Sequence, residues 1–330
     1  MSAAASAAPV PVAEIVRSGF VEGHHYGSLV ALGQDGEVDW SVGAVAVPVL
    51  PRSCNKPLQA LGMVRLGLDL PPELLALACA SHSGEDFHIE GARRILGSAG
   101  LGESALQTPP DWPLDDEARL RLIRDGGEKS RIHMNCSGKH SAMLATCVVN
   151  GWDTASYLDP QHPLQQVILE TFAEMTGERV EQVAVDGCGA PLLSTSLIGL
   201  ARAFRRLALG LDGNDKPDER SQRITDAIRQ HPASVSGTTR DERELLTAIP
   251  GSIGKAGAES CYAVALADGR AFALKTDDGA ARVRPVLMAE MLRRAGVPEE
   301  DGVDADAVRR TGVVELLGGG RPVGEIRASF

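Results

Sequence analysis

Residues 261–274 read Cys261-Tyr262-Ala263-Val264-Ala265-Leu266-Ala267-Asp268-Gly269-Arg270-Ala271-Phe272-Ala273-Leu274. Two apolar runs about an Asp-Gly pair are the signature of strand, turn and strand. The same pattern stands at the other end of the chain. Ile15-Val16 and Gly27 to Leu32 read as extended, Gly33-Gln34-Asp35-Gly36 as a turn, and Val38 to Val42 as the returning strand. Between these ends the period changes, and apolar stripes predict helices near 54–66, 72–79, 86–98, 115–124, 138–149, 162–176, 193–209 and 219–230. A helix near 285–295 and a last hairpin, 311–317 with 322–328, complete the pattern. Strands from both ends around a helical middle imply an α+β fold with one antiparallel sheet built from both termini and the helices packed against it.

The bulk numbers exclude several function classes. The chain has 330 residues, 43% hydrophobic, which suffices for a substantial core. A formal net charge of -11, with no Lys/Arg block, argues against nucleic acid or an anionic membrane surface as partner and favours a small-molecule substrate. No apolar run reaches the roughly 18 residues of a membrane span. The start, MSAAASAAPVPVAE, has neither a basic nor an apolar leader region, so a cytoplasmic protein is expected. The six cysteines, Cys54, Cys79, Cys136, Cys147, Cys188 and Cys261, then read as core fillers, metal ligands or reactive groups rather than a disulfide framework. Residues 1–12 read as a mobile tail and 13–330 as a single domain.

Four segments carry chemistry. Ser53-Cys54-Asn55-Lys56-Pro57 places a serine and a lysine three apart where Pro57 requires a helix to start, so the two side chains share a face. A lysine acting as base must be neutral, and moving it from ~10.4 to ~7 represents roughly 4 to 5 kcal/mol, which burial and a helix N-terminus both favour. The same dipeptide spacing also suits a capping serine beside a surface lysine. Cys79-Ala80-Ser81-His82-Ser83-Gly84 follows an apolar helix, with Ser83 suited to cap the next one near Asp86. Asn135-Cys136-Ser137-Gly138-Lys139-His140 and Asp186-Gly187-Cys188 lie about fifty residues apart; spacing alone suggests Cys136, His140 and Cys188 as ligands of a four-coordinate zinc, or two buried cysteines beside helix starts. Gly254-Lys255-Ala256-Gly257 leads toward the Cys261 strand, the lysine element that accompanies Ser-x-x-Lys in β-lactamases and penicillin-binding proteins.

Taken together, these motifs in this order resemble the L-asparaginase II family of the Rhizobium etli type, from about residue 14 to the C-terminus. The resemblance implies a serine-β-lactamase-like fold, a homodimer and two serine-lysine pairs, Ser53 with Lys56 and Ser81 with Lys255. It further implies zinc, one per chain, on Cys136, Lys139 and Cys188, with Lys139 in place of His140 and the metal helping to hold substrate. Arg52, His82 and Asp186 become candidate substrate contacts. The expected reaction is hydrolysis of the side-chain amide of L-asparagine through a serine ester. A glutaminase or β-lactamase-like hydrolase on the same fold is the alternative enzyme, and a zinc-stabilised binding protein the alternative without chemistry. The polar stretch 232–246 does not align, so none of its residues receives a role.

Overall fold

The computed structural model describes residues 10–330; residues 1–9 of the expected tail lie outside it. In chain order the elements are β1 (Val10–Arg17), β2 (Phe20–Leu32), β3 (Val38–Val42), α1 (Lys56–Arg65), α2 (Pro72–Ala78), α3 (Asp86–Ser98) and α4 (Asp116–Arg124). Next come α5 (Ser137–Val149), α6 (Pro163–Thr176), β4 (Val183–Val185), β5 (Pro191–Leu193), α7 (Leu197–Ala208), α8 (Glu219–Gln230), α9 (Pro232–Val235) and α10 (Asp241–Ala248). The chain ends with β6 (Ile253–Gly257), β7 (Cys261–Ala265), β8 (Ala271–Thr276), α11 (Arg284–Arg294), α12 (Ala305–Thr311), β9 (Glu315–Gly318) and β10 (Arg321–Ala328).

Among the described residues one eight-stranded sheet runs β6-β7-β8-β2-β1-β10-β9, with β3 beside β2 and every pairing antiparallel. Both ends of the chain thus build one sheet. The join is β2 against β8, with Leu29 opposite Leu274 and Val30 opposite Ala273. Tight turns fix the register: Ser18 and Gly19 both have positive φ, 49° and 82°, as a two-residue hairpin with right-handed strand twist requires. The strand β1 begins at Val10 and Val12 is buried, so the last three residues of the expected tail belong to the sheet.

The 261–274 hairpin alternates small and large side chains. Cys261, Ala263, Ala265, Ala271 and Ala273 face the helical middle, where α7 packs closely on them. Tyr262, Val264, Phe272 and Leu274 fill the other face beneath α11. Each large side chain buried there is worth roughly 1.5–3 kcal/mol, and the alanines permit the close approach of a helix. With both faces covered, the strands are apolar throughout, although the sheet is antiparallel.

Local corrections are few. A 3-10 turn over Arg52–Asn55 precedes α1, which itself starts at Lys56. The helix expected from 193 begins at Leu197, because Pro191–Leu193 forms β5 and pairs with β4 in a small separate sheet. The unassigned 232–246 stretch forms the short α9 and most of α10. Ser83 does not cap α3; its hydroxyl donates to Glu85, which occupies the cap position. Among the described residues no helix is long and apolar enough to cross a membrane.

Candidate active site

The Arg52–Asn55 turn is wedged against the end of β6. A Cβ on Gly257 would lie 2.7 Å from Pro51 O and 3.2 Å from Ser53 N, so only glycine lets the strand come this close. Asn55 donates to Leu193 O and the Cys54 thiol to Lys255 O, tying the turn to β5 and β6. Arg52 is left-handed, φ 53°, a conformation that is costly for a side chain with a Cβ. Its guanidinium is held by Asp186 Oδ1 at 2.8 Å and Glu259 Oε1 at 3.4 Å. Ser53 therefore sits, partly exposed, between an anchored arginine and a strand end.

Lys56 is 1% exposed and donates two hydrogen bonds, to Ala80 O at 2.6 Å and Ser81 Oγ at 2.8 Å. Ser81 follows α2 in an extended segment fixed by Ser81 N to Val235 O and His82 N to Asn135 O. The hydroxyl of Ser53 has no hydrogen-bond partner among the described residues, whereas Ser81 is engaged. The expected contact of Ser53 with Lys56 is absent among the described residues: the Lys56 amine is taken by Ala80 O and Ser81 Oγ, and Ser53 lies one turn before it in the 3-10 segment.

Lys255 differs. It is fully buried, and its Nζ donates to Glu242 Oε1 at 2.8 Å, Glu242 Oε2 at 3.2 Å and Ala256 O at 2.9 Å. The expected contact of Lys255 with Ser81 is absent: the hydrogen bond of Ser81 goes to Lys56, and that of Lys255 to a carboxylate. Sequence reasoning missed Glu242. Asp241, Glu242 and Glu244 together look like acids in a first helical turn, favoured there by the helix dipole, and nothing local marks the middle one as buried.

His82 is also fully buried, with Nε2 2.8 Å from Ser137 Oγ and its ring stacked on His88. Burial, and after it the neighbouring His88 and Lys56 side chains, which disfavour a second positive charge, hold it well below the usual histidine range, so it is neutral. Arg52 and Asp186 lie at the rim, joined to each other. A cavity of about 390 Å³ elsewhere, between α11, α12 and β10, includes none of these groups.

With this geometry in place, the comparison with known families is decisive: the family described as L-asparaginase II matches residues 13–328. The chain belongs to the L-asparaginase II family. Membership makes it an amidohydrolase. No curated protein matches the chain. Three solved structures resemble it in outline. A β-lactamase from Mycobacterium bovis is 16% identical, covering 81% of this chain and 94% of its own, with a TM-score of 0.44. EstCE1, a hydrolase with promiscuous acyltransferase activity, is 13% identical over 79% and 92%, with a TM-score of 0.41. A Bacillus glutaminase is 10% identical over 82% and 91%, with a TM-score of 0.40.

This member of the family also gathers a buried thiol cluster. Cys136 precedes α5, Lys139 lies in its first turn, and Cys188 follows the β4 strand; Lys139 Nζ donates to Cys188 Sγ at 3.1 Å, and Cys136 and Cys188 share one apolar cluster. The hydrogen bond from Cys136 and the charge of Lys139 hold the Cys188 thiol well below its ordinary range against burial. Burial opposes the charge of Lys139, but Cys188 and Cys136 outweigh it and keep the amine above its usual range. Among the described residues no three His, Cys, Asp or Glu side chains form a metal-ligand group, so the set with His140 inferred from spacing does not assemble. His140 Nδ1 instead faces the Tyr157 hydroxyl at 2.7 Å, and burial pushes the ring down to about 4. A site here needs the lysine, and two thiols with one amine are a donor set that suits zinc once the amine loses its proton.

Proposed function

We propose that the chain hydrolyses the side-chain amide of L-asparagine to L-aspartate and ammonia, with Ser53 as nucleophile and Lys56 as its base. One observation carries this reading: the Ser53 hydroxyl stands partly exposed and without a hydrogen-bond partner among the described residues, one turn from the buried Lys56 amine that Ala80 O and Ser81 Oγ hold in place. Lys56 takes the Ser53 proton as Oγ adds to the amide carbon. The resulting ammonium returns that proton to the leaving nitrogen, directly or through the Ser81 hydroxyl, and ammonia departs from a β-aspartyl ester on Ser53. Water then adds to the ester carbon, giving its proton to Lys56, and the Ser53 oxygen leaves with that proton. Backbone N–H groups at the Ser53 turn are the candidate oxyanion donors.

Arg52 supplies a guanidinium for the substrate α-carboxylate and Asp186 a carboxylate for the α-ammonium. Cys136, Lys139 and Cys188 would hold zinc, which when bound supplies positive charge that helps retain the substrate. We place this reaction in a cytoplasmic homodimer. The test is ammonia release from asparagine and from glutamine, with and without a chelator. Release from asparagine at the higher kcat/KM supports the reading; preference for glutamine moves it to the longer substrate, and no release from either amide leaves a binding protein.

A further inference from the structure

Two buried lysines approach this centre, and their hydrogen bonds differ in a way that separates their work. Lys56 donates two, to a carbonyl and a hydroxyl, with no carboxylate in ion-pair reach among the described residues. Lys255 donates to both oxygens of one carboxylate and to a carbonyl, the surroundings that an ammonium's three donors suit. Glu242 is itself 0% exposed, and its Oε1 also accepts from Ala256 N at 3.1 Å, so the carboxylate is clamped to β6 by backbone as well as by the lysine.

Glu242 is the carboxylate that faces Lys255. Asp241, next to it on α10, is taken by Arg284 of α11, with both oxygens 2.9 Å from the guanidinium. The thiols on neighbouring elements carry no charge to help: burial and then Cys261 of β7 push Cys54 up, and burial pushes Cys79 after α2 up to about 12. Tyr262 of β7 is likewise raised by burial and then Asp241. Arg229 of α8 binds Gly251 O, before the strand starts. Against this background burial holds Lys255 below the usual lysine range, Lys56 adds to that, and Glu242 is the group that opposes it.

We propose that Glu242 is a positioning residue that keeps Lys255 a permanent ammonium, so that Lys56 alone exchanges protons with the serines. The idea rests on the serine-lysine reading above. It gives Lys255 a fixed positive charge in the middle of β6 rather than the role of a second base, and it gives a function to the stretch that the sequence left unassigned. Lys255 has no lone pair to offer Ser81 while Glu242 is ionised.

The experiment follows lysines labelled with carbon-13 at Cε by NMR, with the Lys255 signal assigned from its loss in Lys255→Met. In the wild type that signal stays at its ammonium position across the pH range in which kcat/KM for asparagine rises. In Glu242→Gln it titrates about one to three pH units lower, and in Glu242→Asp, which keeps the charge, it stays near the wild-type position. A role limited to packing would not move this titration. In parallel, Lys255→Arg, which keeps a charge and cannot act as base, loses less than about tenfold in kcat, while Lys56→Arg loses about a hundredfold or more. The proposal is overturned if the wild-type Lys255 signal titrates together with the activity limb, or if it titrates unchanged in Glu242→Gln. Equal collapse of the two arginine variants, both folded, overturns it too. Should Glu242→Gln fail to fold, the wild-type and Glu242→Asp titrations decide. Should the wild type release no ammonia from asparagine, the functional reading falls, and the substrate-free titrations still decide the part played by Glu242.

Discussion

Replacing Lys56 by methionine keeps the stem and the volume of a side chain that is 1% exposed, and removes the amine that reaches Ala80 O and Ser81 Oγ. Ala80 O then lacks its donor, which costs about 1–3 kcal/mol, offset in part because a polar amine no longer has to be desolvated. The fold should survive with a small shift in Tm. Activity should not. Loss of a positioned base lowers kcat/KM by about 10² to 10⁴, or ~2.7 to 5.5 kcal/mol at the barrier. Ser53→Ala removes the other half of the same unit. Once the hydroxyl is gone the base has nothing to deprotonate, so the double variant Ser53→Ala with Lys56→Met should be no worse than the poorer single. The coupling energy in the double-mutant cycle would then nearly equal one single loss. Ser81→Ala leaves the Ser53 and Lys56 unit complete but frees one amine hydrogen, and should cost less than either. The assay is initial-rate ammonia release from asparagine on variants whose fold is verified by circular dichroism. Multiplying losses, with the double variant down by about 10⁴ to 10⁸, would refute a shared unit of Ser53 and Lys56. If the non-additive partner of Lys56 proved to be Ser81, the nucleophile would be reassigned to Ser81.

Four further outcomes are expected. Purified protein should carry about one zinc per chain by metal analysis, and Cys136→Ser should lower that content and raise KM more than it lowers kcat. Gly257→Ala should cut activity more than stability, because its Cβ would press on Pro51 O and Ser53 N and displace the nucleophile turn. His88 is neutral in the fold, pushed down to about 4 by burial against an ordinary value near 6.5. As pH falls from about 6.5 toward 4 the unfolded chain gains the proton first, so about 3 kcal/mol of stability present above pH 6.5 is lost across that window and the loss levels off below it. Urea unfolding should show a shallower pH dependence in His88→Gln than in the wild type; parallel curves would remove His88 from the acid sensitivity. Exchange of Arg52 for lysine should raise KM for asparagine, since the bond to Asp186 and the left-handed turn both depend on the guanidinium staying anchored.

Much of the fold was legible along the chain because its signals are local. The Asp268-Gly269 turn between two apolar runs marks the β7–β8 hairpin without reference to the rest of the molecule, and the helical stripes from 86–98 and 219–230 coincide with α3 and α8. Failures fell where a tertiary partner overrides local preference. Residues 191–193 form a strand only because β4 lies beside them, and Ser83 turns from a cap to the Glu85 carboxylate.

The candidate site residues were legible by type and spacing. Ser53, Lys56, Ser81, Lys255, Cys136, Lys139 and Cys188 stand out by type and order, and the structure buries Lys56, Ser81 and Lys255 near one another and joins Lys139 to Cys188. Who bonds to whom was not legible. Ser53 and Lys56 are three residues apart, so the sequence could place them on one face, but the partners of the two lysines come from the loop after α2 and from α10, 25 and 13 residues away. Such contacts set the surroundings of each amine, a carbonyl and a hydroxyl for Lys56 and a buried carboxylate for Lys255. Amino-acid order settled the types and spacing of these groups; long-range packing decided that Ser81 pairs with Lys56 and Glu242 with Lys255.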